Sequence, residues 1–367
     1  MAPSLEGAVE HSETDDGIVS RKIQELESGH WPLATVFLFI QKEGVVIMYH
    51  ISILGHSDED DYGESLGDIA RITRCPALTE EEIADQCEDA DVIICRNEPF
   101  SAELLERLED LKLIVVLSSH YDHIDLAAAA RQGITVINNP LYCVEDIADH
   151  TCAMMLSLLR RIPEYQHDIR ETGKWQYNGR HWPLHRVGDN VIGLVGFGRT
   201  GQAVARRMHA FGCRVLAYDP FVEEKTMMEQ RVKPVGFDAL LANSDVVSLH
   251  IPLNDTTRNL FQEEQFEQMK DGSMFVNCCR GGLADEAALF HAIDDGHIRS
   301  AALDVMSLEH PSPVLLKMFE RPEFLLTPRC ASHSIEGEAQ LKDDALRFIR
   351  SFLKGDCEGL PIVTARE

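Results

Sequence analysis

The chain has 367 residues, 44% of them hydrophobic and 26% charged, the length and balance of two folded domains rather than of a disordered or fibrous protein. Its 34 basic residues stand against 61 acidic ones, a formal charge of −27, so phosphate backbones and anionic lipid are repelled and no direct nucleic-acid partner is expected. No apolar run approaches the roughly 18 residues of a membrane span, and the acidic N-terminus lacks the basic start of a signal peptide. The ten cysteines include no CxxC pair, so a protein of the reducing cytoplasm with no membrane partner and no metal site is expected.

Residues 1–47, polar and then apolar, read as an N-terminal extension; the short acidic run Asp58, Glu59, Asp60 and Asp61 reads as solvated surface. Beyond residue 47 strand and helix patterns alternate. Tyr49–Leu54, Asp91–Cys95, Leu113–Leu117 and Thr135–Ile137 read as short strands, with helices at Glu80–Ala84 and Ala102–Leu108. Val144–Arg161 reads as a long buried helix with Pro163 as its stop signal. A loop over residues 173–188, in which His181, Trp182 and His185 are read as packing groups, leads into a second series. Its strands are Val191–Val195, Arg214–Tyr218, Val246–His250, Met274–Asn277, Ala301–Val305 and Phe324–Thr327, with a helix at Gln202–Phe211 and a closing helix at Glu338–Leu353. Strands separated by helices predict an α/β protein whose parallel sheets carry helices on both faces.

Gly196-Phe197-Gly198-Arg199-Thr200-Gly201 is a GxGxxG run that directly follows a strand and opens a helix. Its glycines permit a tight turn and close backbone approach, and the free N–H groups and dipole of the helix N-terminus suit a pyrophosphate. Eighteen residues after Gly201, Asp219 ends the next strand, where a carboxylate accepts from ribose hydroxyls and repels a 2′-phosphate, so NAD rather than NADP is the expected cofactor.

Arg280 stands just after the strand Met274–Asn277, and Glu309 follows 29 residues later. A strand's C-terminal end is where open α/β sheets bind ligands. An arginine fork matches a carboxylate with an adjacent carbonyl, and a glutamate commonly orients a proton-shuttling histidine. The adjacent Cys278 and Cys279 at the same strand end are read as packing, with a vicinal redox role as the alternative.

These segments, with the helix Cys143–His150, the run His250-Ile251-Pro252-Leu253 and the Asp304-Val305 pair, resemble the D-isomer-specific 2-hydroxyacid dehydrogenases, and within them the C-terminal-binding-protein-like branch. The likeness covers roughly residues 49–360. It implies two Rossmann-like or flavodoxin-like domains: a discontinuous substrate domain of residues 48–146 plus 330–367, and an NAD-binding domain of residues 147–329. It also implies dimerisation through the cofactor domain. Arg280 would hold the keto-acid group and Glu309 would partner a catalytic histidine. Asp304 would approach the nicotinamide carboxamide, while Ile251, Pro252, Thr257 and Cys278 would line the cofactor with Gly196, Phe197, Gly198, Arg199, Thr200, Gly201 and Asp219.

Two departures bear on the chemistry. The family's Thr-Pro-His run reads Thr327-Pro328-Arg329 here, and an arginine cannot give or take a proton near neutral pH. The family's Gly-x-Gly-x-Asp loop, whose backbone N–H groups hold the substrate carboxylate, reads Ser118-Ser119-His120-Tyr121-Asp122. Three readings follow. His120 or His333 supplies the proton, His333 lying one turn from Arg329 if that segment is helical. Alternatively, Arg329 joins Arg280 as a second anion clamp, paired with Glu309, in a pocket that also contains Ser119 and His120. The third reading is a catalytically weak NAD(H)-binding regulatory module. The expectation ranked first is an NAD-dependent oxidoreductase acting on the CH–OH group of a 2-hydroxy acid.

Overall fold

The computed structural model describes residues 48–55, 65–175, 184–307 and 313–364. The extension 1–47, the run Asp58 to Asp61, His181, Trp182 and Glu309 lie outside the described residues. In chain order the elements are β1 (Tyr49–Leu54), β2 (Ala70–Cys75), α1 (Glu80–Gln86), β3 (Val92–Cys95), α2 (Ala102–Arg107), β4 (Leu113–Val116), α3 (Leu126–Gln132) and β5 (Thr135–Ile137). Then come α4 (Val144–Leu159), α5 (Ile162–Thr172), β6 (Val191–Val195), α6 (Arg199–Ala210), β7 (Arg214–Tyr218), α7 (Glu224–Glu229), β8 (Lys233–Pro234), α8 (Phe237–Asn243) and β9 (Val246–Leu249). The last are α9 (Glu263–Gln268), β10 (Ser273–Asn277), α10 (Glu286–Asp294), β11 (Ile298–Leu303), α11 (Pro313–Phe319), β12 (Phe324–Leu326) and α12 (Ile335–Leu353).

The chain divides into two compact units, one ending at Tyr142 and resuming at Ile335, the other running from Cys143 to Ser334. In the first, the strands lie parallel in the order β2-β1-β3-β4-β5. Strands β1, β3 and β4 are buried along their whole lengths; β3 and β4 accordingly read as continuous apolar runs, whereas β1 also buries His50 and Ser52. Helix α12 lays Ala345, Phe348, Ile349, Phe352 and Leu353, spaced as one helical stripe, against Ile51, Val92, Ile94 and Val115. The pairs Arg96–Glu338 at 2.6 Å and Arg350–Asp68 at 2.8 Å fasten its flanks.

The second unit holds seven parallel strands in the order β12-β11-β10-β9-β6-β7-β8. The order reverses between β6 and β9, and ligands of open parallel sheets sit at such a reversal, beyond the strands' C-terminal ends. One face is covered by α4 and α6 through Met154, Met155, Leu158, Val204 and Met208. The other carries Phe261, Phe266 and Phe275, whose ring centroids lie 5.2–5.7 Å apart, an edge-and-offset arrangement that aromatic quadrupoles favour.

Three local expectations are revised. Helix α6 starts at Arg199 rather than Gln202, because the last residues of the glycine run already form its first turn. The helix expected to reach Arg161 stops at Leu159, and Pro163 stands in the first turn of α5, where a missing N–H costs nothing. The edge strand β2, not read from the sequence, exposes Arg71 and Arg74, one on each face, so its apolar signal is too weak to read.

Candidate functional site

The glycine run turns from β6 into α6. Gly196 has φ +97, and a Cβ there would overlap the His250 carbonyl oxygen. At Gly201 a Cβ would stand 2.6 Å from the Gly196 carbonyl oxygen, so this glycine lets the helix close on the strand. Gly198 is different: a Cβ would meet nothing within 4 Å, which leaves open space before the helix. No side chain caps α6, and its first turn contains no acid, whereas α1 has Glu80, Glu81 and Glu82 in its first turn. The backbone donors of α6 are therefore free for an anion, and a pyrophosphate fits this cradle.

Asp219 closes the turn from β7. One carboxylate oxygen accepts from the Phe197 N–H at 2.8 Å and the other from the Phe221 N–H at 2.9 Å. The carboxylate thus fixes the glycine loop while keeping lone pairs for a diol. Across the reversal, Ile251 packs beside Gly196. The Thr257 hydroxyl donates to the Pro252 carbonyl at 2.7 Å, folding residues 252–257 into a compact loop rather than presenting that hydroxyl outward. His250, at the end of β9, holds Ser248 Oγ at 3.1 Å through Nε2; burial pushes its imidazole down to about 4, so it is neutral at pH 7.

Arg280 is carried by the turn after β10. The buried Asn277 side chain accepts from the Cys279 N–H at 3.0 Å and donates to the Arg280 carbonyl at 2.8 Å, which makes Asn277 the support of that arginine. A Cβ on Gly281 would overlap the Met306 backbone, so the Arg280 turn and the segment after Asp304 pack directly together. Cys278 is buried and within 3.5 Å of Met154 Sδ, and desolvation raises its pKa. Burial pushes the Cys279 thiol up to about 11. Both are protonated at pH 7, as packing residues should be.

Asp304 is 3% exposed and organises the next turn. Its carboxylate accepts from Thr327 Oγ1 at 2.6 Å, the Cys330 N–H at 2.9 Å and the Ala331 N–H at 3.0 Å, while its carbonyl accepts from the Arg329 N–H at 2.8 Å. Arg329 takes φ +54 and is exposed; among the described residues no carboxylate pairs with it. The segment after it is not helical: His333 donates its N–H to the Cys330 carbonyl at 3.0 Å in a single turn, so the helical spacing that would put His333 one turn from Arg329 is absent. His150 of α4 was not singled out in the sequence. Its Nε2 lies 3.0 Å from Thr327 Oγ1 and 3.6 Å from Asp304 Oδ1. His150, Asp304 and Cys330 could hold a metal by proximity alone, but both Asp304 oxygens already serve protein donors.

In the first unit the Ser118–His120 loop leaves β4. Ser118 Oγ accepts from the His120 N–H at 3.2 Å, and Asn138 donates to the Ser119 carbonyl at 2.9 Å. The His120 backbone donor is thus taken by a serine hydroxyl.

Residues 152–331 match the profile of the D-isomer specific 2-hydroxyacid dehydrogenase, NAD binding domain. A glycerate dehydrogenase from Methylorubrum extorquens is 34% identical over 76% of this chain and 87% of its own length. The chain belongs to the D-isomer-specific 2-hydroxyacid dehydrogenase family. As in that family, its second unit is an NAD-binding domain, and the chain is an NAD-dependent oxidoreductase. A D-3-phosphoglycerate dehydrogenase from Archaeoglobus fulgidus is 37% identical over 78% of the chain, which spans about half of that relative, 53%. Among solved structures, a D-lactate dehydrogenase from Aquifex aeolicus complexed with NAD and lactic acid superposes with a TM-score of 0.77, at 28% identity, over 86% of this chain and all of that one. Among the described residues no helix is long and apolar enough to cross a membrane.

Proposed function

We propose that the protein moves a hydride between NAD and a 2-hydroxy or 2-keto acid that carries a second acidic group. The observation behind this reading is the pair of arginines at the same end of the sheet, on the two strands that flank β11: Arg280 on the Asn277-braced turn after β10 and Arg329 on the Asp304-braced turn after β12. With the His120 N–H satisfied by Ser118, recognition of the acid falls to guanidinium groups, which bind carboxylate or phosphate through paired N–H donors. Ser119 and His120 are the substrate-binding residues proposed in the substrate domain, residues 48–146 plus 330–367. Residues 147–329 hold the cofactor through Gly196, Phe197, Gly198, Arg199, Thr200, Gly201, Asp219, Ile251, Pro252, Thr257, Cys278 and Asp304.

NAD, when bound, supplies the hydride acceptor. Arg280 orients the acid, and Asp304 keeps Arg329 in place. Since arginine does not exchange protons near pH 7, we assign the proton to His333 and, following the family resemblance, the role of its carboxylate partner to Glu309. The protein is expected to act as a homodimer in the cytoplasm, consistent with its ten free thiols; size-exclusion chromatography with light scattering tests the dimer.

NADH oxidation assayed against monocarboxylate, dicarboxylate and phosphorylated 2-keto acids tests the reading. Turnover is expected to favour the doubly acidic substrates, and to fall about 10²- to 10⁴-fold in His333→Ala with loss of the acid limb of the pH profile. Arg329, standing where the family has its histidine, also favours a second reading, an NAD(H)-dependent regulatory module of the C-terminal-binding-protein type. No turnover across the panel in protein that binds NADH would establish that reading and sink the first.

A further inference from the structure

Beyond the glycine loop, the sheet of the second unit has an opposite edge, where β6, β7 and β9 begin. A cavity of about 910 Å3 opens there, lined by four cations, Arg214, Arg231, Lys233 and Lys270, against two carboxylates, Asp189 and Asp245. We propose that this cavity is a second ligand site, which takes a small phosphate-bearing anion.

The charge bookkeeping favours an anion in spite of the chain's −27. Asp245 is engaged internally: it accepts the Val191 N–H at 2.7 Å and pairs with Lys270 at 2.5 Å. That leaves Arg214, Arg231 and Lys233, all exposed, against the single carboxylate of Asp189, and among the described residues none of the three cations has a carboxylate partner. Three unpaired cations around one concavity repel one another unless an anion or salt sits between them.

Arg231 adds an independent observation. It follows α7 at φ +61, with its N–H on the Met228 carbonyl at 2.9 Å, the left-handed position where glycine or asparagine is the ordinary helix terminator. An arginine there is unfavourable for the backbone and delivers a guanidinium to the cavity wall. His209, at the end of α6, binds the Cys213 carbonyl through Nδ1 at 3.2 Å, and its Nε2 is buried without a hydrogen-bond partner. Leu216, Val235 and Ala242 supply an apolar wall. Cations and apolar wall in a cavity of this size suit a small ligand with a phosphate at one end.

This site is separate from the NAD cradle. Strand β7 runs from Arg214 at the cavity to Tyr218 beside Asp219, roughly 13 Å at about 3.3 Å per residue. The test is isothermal titration of NADH-saturated protein with pyrophosphate at constant ionic strength, so that the glycine loop is already occupied. A saturable isotherm is expected. The double variant Arg214→Ser, Lys233→Ser should weaken it about tenfold or more, while Arg71→Ser, which removes a cation from the first unit, leaves it unchanged. Arg231→Gly removes a left-handed arginine, so it should weaken pyrophosphate binding while raising the melting temperature, which separates lost binding from lost folding. AMP titrated in the same way distinguishes the source: tighter binding than pyrophosphate marks an organic phosphate that uses the apolar wall, weaker binding an inorganic one. No saturable isotherm, an isotherm retained in the double variant, or equal loss in Arg71→Ser would overturn the proposal.

Discussion

Replacing Asp304 by Asn is expected to destabilise the second unit far more than an isosteric change normally does. Three donors converge on the carboxylate, Thr327 Oγ1 and the Cys330 N–H on one oxygen and the Ala331 N–H on the other. An amide keeps only one oxygen. Whichever way it points, its NH2 faces at least one protein N–H, and a buried donor left unsatisfied costs about 1–3 kcal/mol. The hydrogen bonds that survive also lose their charge assistance, roughly 1 kcal/mol more. Relief of the buried charge offsets part of this, and a loss of about 2–4 kcal/mol is expected. Urea unfolding followed by circular dichroism measures it, with Asp149→Asn as the comparison. Asp149 is engaged as well, by the Arg207 guanidinium at 2.6 Å, but its side chain is 71% exposed, so its removal should cost less than about 1 kcal/mol. Equal effects at the two positions would refute the reasoning, because the larger cost at Asp304 is argued from the burial of its donors.

The two glycines of the β6 turn region should respond oppositely. Gly198→Ala is expected to leave stability within about 0.5 kcal/mol and to weaken NADH binding, read by fluorescence titration, about tenfold or more, since its Cβ meets no protein atom but enters the cradle. Gly193→Ala puts a Cβ against Ser244 Oγ and 2.7 Å from Leu240 Cδ2, and should cost about 1–3 kcal/mol in urea. Asp219→Ser removes the charge that repels a 2′-phosphate, so the preference for NADH over NADPH should fall about tenfold or more in paired titrations. His250 carries a folded pKa of about 4, below the ordinary value near 6.5, so the unfolded chain binds the proton first. Its contribution is complete above about pH 6.5 and is lost as pH falls toward 4, by up to about 3 kcal/mol. Urea midpoints across that range should slope less steeply in His250→Gln, and identical slopes would place the titration elsewhere.

What could be read in advance was the chemistry whose parts lie close in sequence. Gly196 to Gly201 and Asp219 fall within one strand–turn–helix–strand passage, so both could be found from spacing, whereas the 2.8 Å bond from the Phe197 N–H to Asp219 was not foreseen. Asp304 was legible only as part of a family pattern, since its hydrogen-bond partners lie 23 to 27 residues away and on a turn with no periodicity. The supporting role of Asn277 was missed for a different reason: a single asparagine at a strand end has many uses. Strand β2 escaped because half of an edge strand faces solvent, and α5 because a proline in a first helical turn looks the same as one after a last turn.

Among the described residues the non-glycine residues at positive φ are Arg161, Arg231, Asn259 and Arg329, three of them arginines. Asparagine is the common exception to glycine in this region of backbone space, whereas an arginine there is disfavoured by about 1–3 kcal/mol. Each stands where one element ends, and each points to a different use of charge. Arg161 joins α4 to α5 and pairs with the buried Glu164 at 3.3 Å. Arg231 borders the cationic cavity at the N-terminal edge of the sheet, and Arg329 ends the turn built on Asp304 at the C-terminal edge. Left-handed turns are short and held by neighbours, so they fix a Cα–Cβ direction more narrowly than a surface loop does. In a chain of charge −27, flexible cations would be drawn to the many carboxylates around them, and a rigid attachment keeps them where an anion has to be met. On the proposed function, Arg329 on the Asp304 scaffold presents a fixed positive charge where the resembled Thr-Pro-His run presents a proton.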